Sequence, residues 1–114
     1  MAFSFFKRND HDLPADDFLA KVQDDDVVLD VRTPGEYAGG HLAGAENVDF
    51  MAPDFRERVE GLDRDRTYYL YCRSGNRSGQ AAQMMRQLGF ERAYNVGGFE
   101  TLAKAGAETA RGDG

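Results

Sequence analysis

At 114 residues, with 20 Asp and Glu against 14 Lys and Arg and a formal net charge of -6, the chain has room for one domain. Its charge argues against nucleic-acid binding or an anionic-membrane footprint over the whole surface, though not against a local positive pocket. A single cysteine excludes an intrachain disulfide and a Cys-rich zinc or iron–sulfur site, so disulfide or persulfide chemistry needs a second molecule.

The first residues, Met1-Ala2-Phe3-Ser4-Phe5-Phe6, form too short an apolar run for a signal peptide or membrane span. The expected location is the cytoplasm, whose reducing environment keeps a thiol free. Residues 1–11 read as an N-terminal arm or edge strand. Residues 13–22 read as a short helix, with Pro14 in its first turn and Asp16 and Asp17 at its positive end. Asp24-Asp25-Asp26 reads as a solvated loop, with no supporting pattern for a metal.

Val27-Val28-Leu29-Asp30-Val31 is β-branched and apolar, as a buried strand should be. In Thr33-Pro34-Gly35-Glu36, Thr33 suits an N-cap, Pro34 the first helical position and Glu36 a capping box, so a short helical turn should carry Tyr37. Glycines 39, 40 and 44 then break the turn, and residues 45–48 form a possible short strand. Residues 53–60 read as a helix with Phe55, Val59 and Leu62 facing in. The aromatic run 67–71 is the second clear strand. Residues 78–88 form the best amphipathic helix, with Ala81, Met84, Met85 and Leu88 on one face and Gly89 as its stop. A strand over 92–96, a turn at Gly97-Gly98 and a helix over 99–105 follow. Residues 107–114 are expected to fray, leaving 12–106 as the domain.

Strands alternating with helices predict a three-layer α/β fold, a small parallel sheet flanked by helices. Ligands on such sheets bind at the carboxyl ends of the strands, where Cys72 follows 67–71. The segment Cys72-Arg73-Ser74-Gly75-Asn76-Arg77-Ser78 joins that strand to the next helix. Its small residues let successive N–H groups converge into an anion-binding nest, which also lowers a thiol pKa. Gly75 suits a positive φ, a region Asn76 also tolerates. Arg77 suits a bidentate contact to an oxyanion and Arg73 a second charge at the mouth. Ser78 reads equally as a cap or helix-turn residue. Neither histidine adjoins Cys72 in sequence: His11 is expected at the surface, and His41 in a structural hydrogen bond.

These two segments resemble a single-domain rhodanese. The resemblance covers about residues 12–106 and rests on Leu29-Asp30-Val31-Arg32-Thr33-Pro34-Gly35-Glu36-Tyr37, Gly40-His41-Leu42-Ala43-Gly44-Ala45 with Asn47, Tyr71-Cys72-Arg73-Ser74-Gly75-Asn76-Arg77-Ser78, and Asn95-Val96-Gly97-Gly98-Phe99. It implies a five-stranded parallel sheet flanked by helices, and transfer of a sulfane sulfur through a persulfide on Cys72 without metal or organic cofactor. It implies substrate-binding roles for Arg73, Ser74, Gly75, Asn76, Arg77 and Ser78, and structural support from Asp30, Arg32, Glu36 and His41. The implied partners are a small anionic donor such as thiosulfate and a thiol, cyanide or protein acceptor. Where many relatives carry a tryptophan after the late glycine turn, this chain has Leu102, which still fills apolar space.

Two other readings stand beside a sulfurtransferase. One is a sulfur carrier or partner-binding protein with weak turnover of its own. The other is a phosphatase. Phosphatases resembling this fold keep five residues between cysteine and arginine, whereas residues 73–76 alone separate Cys72 from Arg77.

Overall fold

The structure is a computed structural model and describes residues 11–112. In chain order its elements are α1 (Ala15–Lys21), β1 (Val27–Asp30), α2 (Pro34–Ala38), β2 (His41–Leu42), β3 (Glu46–Asn47), α3 (Phe55–Glu60), β4 (Tyr68–Cys72), α4 (Asn76–Gln87), β5 (Ala93–Gly98), α5 (Phe99–Lys104) and β6 (Thr109–Ala110). Strands β3-β1-β4-β5 form a parallel sheet, and β2 pairs with β6 in a small antiparallel one.

Alternation along β4 separates two cores. Tyr68, Leu70 and Cys72 join Leu29, Val31, Phe55, Val59 and Met85 on one face. Tyr69 and Tyr71 join Phe18, Val96 and Leu102 on the other. Period-two alternation in a strand covered by helices on both faces produces this division. Each large apolar side chain removed from water contributes about 1.5–3 kcal/mol. Leu102, in the place of the common tryptophan, is fully buried in the second core.

The predicted helices and strands are present, with shifted ends. The main helix starts at Asn76 and not at 78, because Gly75 turns the chain at φ 94° and lets β4 run almost directly into α4. The capping box is complete: Thr33 Oγ1 accepts from the Glu36 N–H at 3.3 Å, and the Glu36 carboxylate accepts from the Thr33 N–H at 2.9 Å. The parallel sheet has four strands among the described residues, against the five implied. The fifth position holds a single parallel bridge between Asp12 and Asn95.

Two expectations change at the termini. His11 is buried, because the chain there is tied to β5 through the Asn95 N–H, which donates to the His11 carbonyl at 2.6 Å. The arm expected over 1–11 otherwise lies outside the described residues. The stretch after Gly106, expected to fray, places Ala107 against the second core and pairs β6 with β2. Short polar strands of this kind leave little trace in hydrophobic periodicity.

Candidate active site

Strand β4 delivers Cys72 to the carboxyl end of the sheet, between β1 and β5. Its sulfur accepts the Gly75 N–H at 3.0 Å, and the Ser78 hydroxyl lies 3.4 Å away. Cys72 is 1% exposed, so burial alone pushes its thiol up. The Ser78 hydroxyl and the N–H groups of Ser78, Ser74 and Gly75 outweigh that, and the net result is a thiol below its ordinary range.

The loop keeps its shape through β5. A Cβ on Gly98 would stand 2.5 Å from the Arg73 carbonyl oxygen and 3.3 Å from the Ser74 Cα, so only glycine lets β5 lie this close. Asn95 ties the same pieces together by hydrogen bonds. Its Nδ2 donates to the Gly75 carbonyl at 3.2 Å and to Asp12 at 3.1 Å. Its Oδ1 accepts from Ser78 Oγ at 2.7 Å and from the Gly97 N–H at 3.1 Å. Asn95 and Gly98 were not singled out from their own chemistry. The turn expected at Gly97-Gly98 is instead the end of β5, where a Gly-Gly pair marks close backbone approach.

The remaining loop residues divide. Ser74, Gly75 and Ser78 lie around the sulfur. Asn76 points away: it is exposed, its Oδ1 accepts from Gln80 at 3.2 Å, and its backbone is helical. Arg77, expected to meet an external oxyanion, instead holds the Glu36 carboxylate with two bonds of 2.9 and 3.1 Å. Its charge nevertheless registers the sulfur. Glu36 first, and also the Cys72 thiolate, hold the Arg77 guanidinium above its usual range. Arg73 is exposed and has no ion-pair partner among the described residues. It lines a surface pocket of about 380 Å³ together with Glu36, Gly40, Phe99 and Glu100.

The first motif braces this site from behind. Arg32 Nε lies 3.0 Å and 3.2 Å from the two Asp30 oxygens, its Nη2 lies 2.7 Å from Asp30 Oδ2, and Nη2 also donates to the Gly40 carbonyl at 2.6 Å. Both residues are buried. The Tyr71 hydroxyl donates to Asp30 Oδ2 at 2.7 Å and accepts the Leu42 N–H at 2.9 Å, linking β4, β1 and β2. His41 stacks on Tyr37 at 3.7 Å, and its Nδ1 lies 2.8 Å from the Tyr37 carbonyl. The side chains of Asp30, Arg32, His41 and Tyr71 bind backbone groups or one another here, and none of them hydrogen-bonds the Cys72 sulfur.

Comparison with known proteins matches a family model, the Rhodanese-like domain, over residues 14–105. The chain is 40% identical over 74 residues to the uncharacterized protein YqhL of Bacillus subtilis strain 168, an alignment covering 64% of this chain and 57% of YqhL, so the match spans little more than half of that relative. It is 39% identical over 90 residues to the thiosulfate sulfurtransferase GlpE of Pseudomonas putida, covering 76% of this chain and 79% of GlpE. Among solved structures, a rhodanese-related protein from Thermoplasma volcanium superimposes with a TM-score of 0.77 at 31% identity, covering 88% of this chain and 97% of that one.

Proposed function

Because the chain belongs to the rhodanese-like domain family, we propose that it is a sulfurtransferase moving a sulfane sulfur from thiosulfate or a persulfide to a thiophilic acceptor through Cys72. The observation that carries this reading is the Cys72 sulfur at the end of β4, held by the Gly75 N–H at 3.0 Å and lowered in pKa by the surrounding donors. A cysteine placed so is a nucleophile without a separate base.

The Cys72 thiolate attacks the outer sulfur of thiosulfate. A sulfur–sulfur bond forms to Cys72, the bond to the sulfonate sulfur breaks, and sulfite leaves with that electron pair. The terminal sulfur of the resulting persulfide carries the negative charge, which the loop N–H groups stabilise. A cyanide or thiolate acceptor, free or on a protein, then takes the terminal sulfur, and Cys72 departs as thiolate. Charge and electrons balance in both steps, and the chemistry asks for no metal. A reducing compartment such as the cytoplasm keeps Cys72 available for it.

Mass spectrometry of the intact protein after thiosulfate treatment tests the reading. One sulfur atom should be added at Cys72, and cyanide or a thiol should remove it. The Cys72→Ser protein should gain none, since a serine hydroxyl is scarcely ionised at neutral pH. An unmodified Cys72 after exposure to both thiosulfate and a persulfide overturns the proposal.

A further inference from the structure

We propose that Glu36 is a specificity-determining residue that neutralises Arg77 near the Cys72 loop and thereby turns the site from dianionic thiosulfate toward hydropersulfide donors, whose reacting group brings at most one negative charge. This rests on the sulfurtransferase reading and names the donor class that the same site prefers. Arg77 is the second residue of α4, one before Ser78, whose hydroxyl lies 3.4 Å from the sulfur. Its charge and that of the Cys72 thiolate act on each other, and both of its outer nitrogens are already taken by the two oxygens of Glu36, at 2.9 and 3.1 Å.

Glu36 is itself held in place. The Thr33 N–H and hydroxyl donate to Oε1 at 2.9 and 3.2 Å, so the carboxylate is the N3 member of a capping box and cannot swing aside without opening the start of α2. The pair is only partly exposed, with side chains at 24% and 29%, so water screens it incompletely. An approaching dianion must either displace a carboxylate anchored by its own helix or approach a guanidinium whose charge is already matched. Arg73 at the mouth remains, but it is exposed and screened. A hydropersulfide needs no second cation. The Cys72 thiolate attacks its outer sulfur, the carrier thiolate leaves with the bonding pair, and Cys72 retains the sulfur as a persulfide.

Glutamine at position 36 keeps the helix cap, because its amide oxygen still accepts from Thr33, but removes the charge. In Glu36→Gln, kcat/KM for thiosulfate relative to that for an alkyl hydropersulfide should rise about tenfold. A second measurement needs no sulfur transfer: the ratio of Cys72 alkylation rates with iodoacetate and iodoacetamide. The two reagents have similar size and attack the same thiolate, so access and thiolate fraction cancel and the charge felt at the sulfur remains. That ratio should rise several-fold in Glu36→Gln, fall in Arg77→Gln, and return to within about twofold of the unmodified protein in the double variant, which removes the pair as a unit. The Arg77→Gln and double-variant arms decide the matter even if Glu36→Gln folds poorly. Ratios indifferent to Glu36→Gln, or a double variant as depressed as Arg77→Gln, overturn the role of Glu36. A protein that takes sulfur from no donor overturns the sulfurtransferase reading instead, and the alkylation ratios still report on Glu36.

Discussion

Ser78 Oγ lies 2.7 Å from Asn95 Oδ1 and has one proton to give, although the Cys72 sulfur stands 3.4 Å away on its other side. In the thiol state the hydroxyl donates to Asn95, the shorter contact. A charged sulfur is the stronger competitor for that proton, and Asn95 Oδ1 would still hold the Gly97 N–H at 3.1 Å. The hydroxyl therefore stabilises the charged sulfur selectively. Ser78→Ala should raise the Cys72 pKa, because one donor to the charged sulfur is lost. Iodoacetamide alkylation rates against pH would show the midpoint moving up. Sulfur transfer at neutral pH should slow about three- to tenfold, and an unmoved midpoint would mean that the loop N–H groups alone set the ionisation.

Gly98 holds the loop by what it lacks. Its backbone is ordinary and extended, at φ -104° and ψ 151°, so conformational freedom is not the reason for glycine there. Space is the reason: a methyl group would stand 2.5 Å from the Arg73 carbonyl oxygen. Gly98→Ala must push the 73–74 backbone and β5 apart, at a cost of about 1–3 kcal/mol. The expected outcome is a folded protein with a lowered urea midpoint, at least about tenfold slower in sulfur transfer because the N–H groups no longer converge. Wild-type turnover from this variant would show that the loop tolerates displacement.

Local chemistry made much of this molecule legible. The β-branched run at 27–31 and the aromatic run at 67–71 announced the two central strands. Thr33, Pro34 and Glu36 announced the cap of α2, and the small residues after Cys72 announced the nest. What stayed hidden depends on partners far apart in sequence. Arg77 meets Glu36 across 41 residues, and Ser78 meets Asn95 across 17. No periodicity encodes such a polar pair, so Arg77 read as an unpaired cation awaiting an anion. Glu36 read as helix capping, and its oxygens do perform that task while also holding Arg77. The β2–β6 pairing was hidden for the same reason, because Thr109 and Ala110 carry no strand pattern of their own and acquire one only from His41 and Leu42.

The buried brace predicts a stability effect separable from chemistry. Tyr71 is fully buried, and burial pushes its hydroxyl well above its ordinary range, so it remains a neutral donor. Tyr71→Phe removes a donor from the Asp30 carboxylate and leaves the buried Leu42 N–H without its acceptor. The expected loss is about 1–3 kcal/mol, read as a lower urea midpoint with an unchanged slope. Tyr69→Phe is the control. Tyr69 points to the same face of the sheet, but its hydroxyl makes no hydrogen bond among the described residues, and that variant should stay within about 0.5 kcal/mol. Equal losses in both would assign the effect to packing and not to the Asp30–Tyr71–Leu42 chain.

The Glu36–Arg77 pair should also write itself into the acid stability of the fold. Arg77 first, with the Thr33 N–H assisting and burial opposing, holds the Glu36 carboxyl down at about 2. An unfolded glutamate titrates near 4.3. Because the folded value is the lower one, the contribution is fully present above the unfolded pKa and disappears as pH falls from about 4.3 through about 2. With the pair partly solvated, it amounts to about 1–2 kcal/mol. Urea unfolding of the unmodified protein and of Glu36→Gln, repeated from pH 6 down to pH 2, isolates it, since the other carboxylates are common to both. The unmodified protein should be the more stable at pH 6, and the gap should close across that window. Parallel curves down to pH 2 would mean that the carboxylate gains nothing on folding, and that Arg77 is free to meet an anion after all.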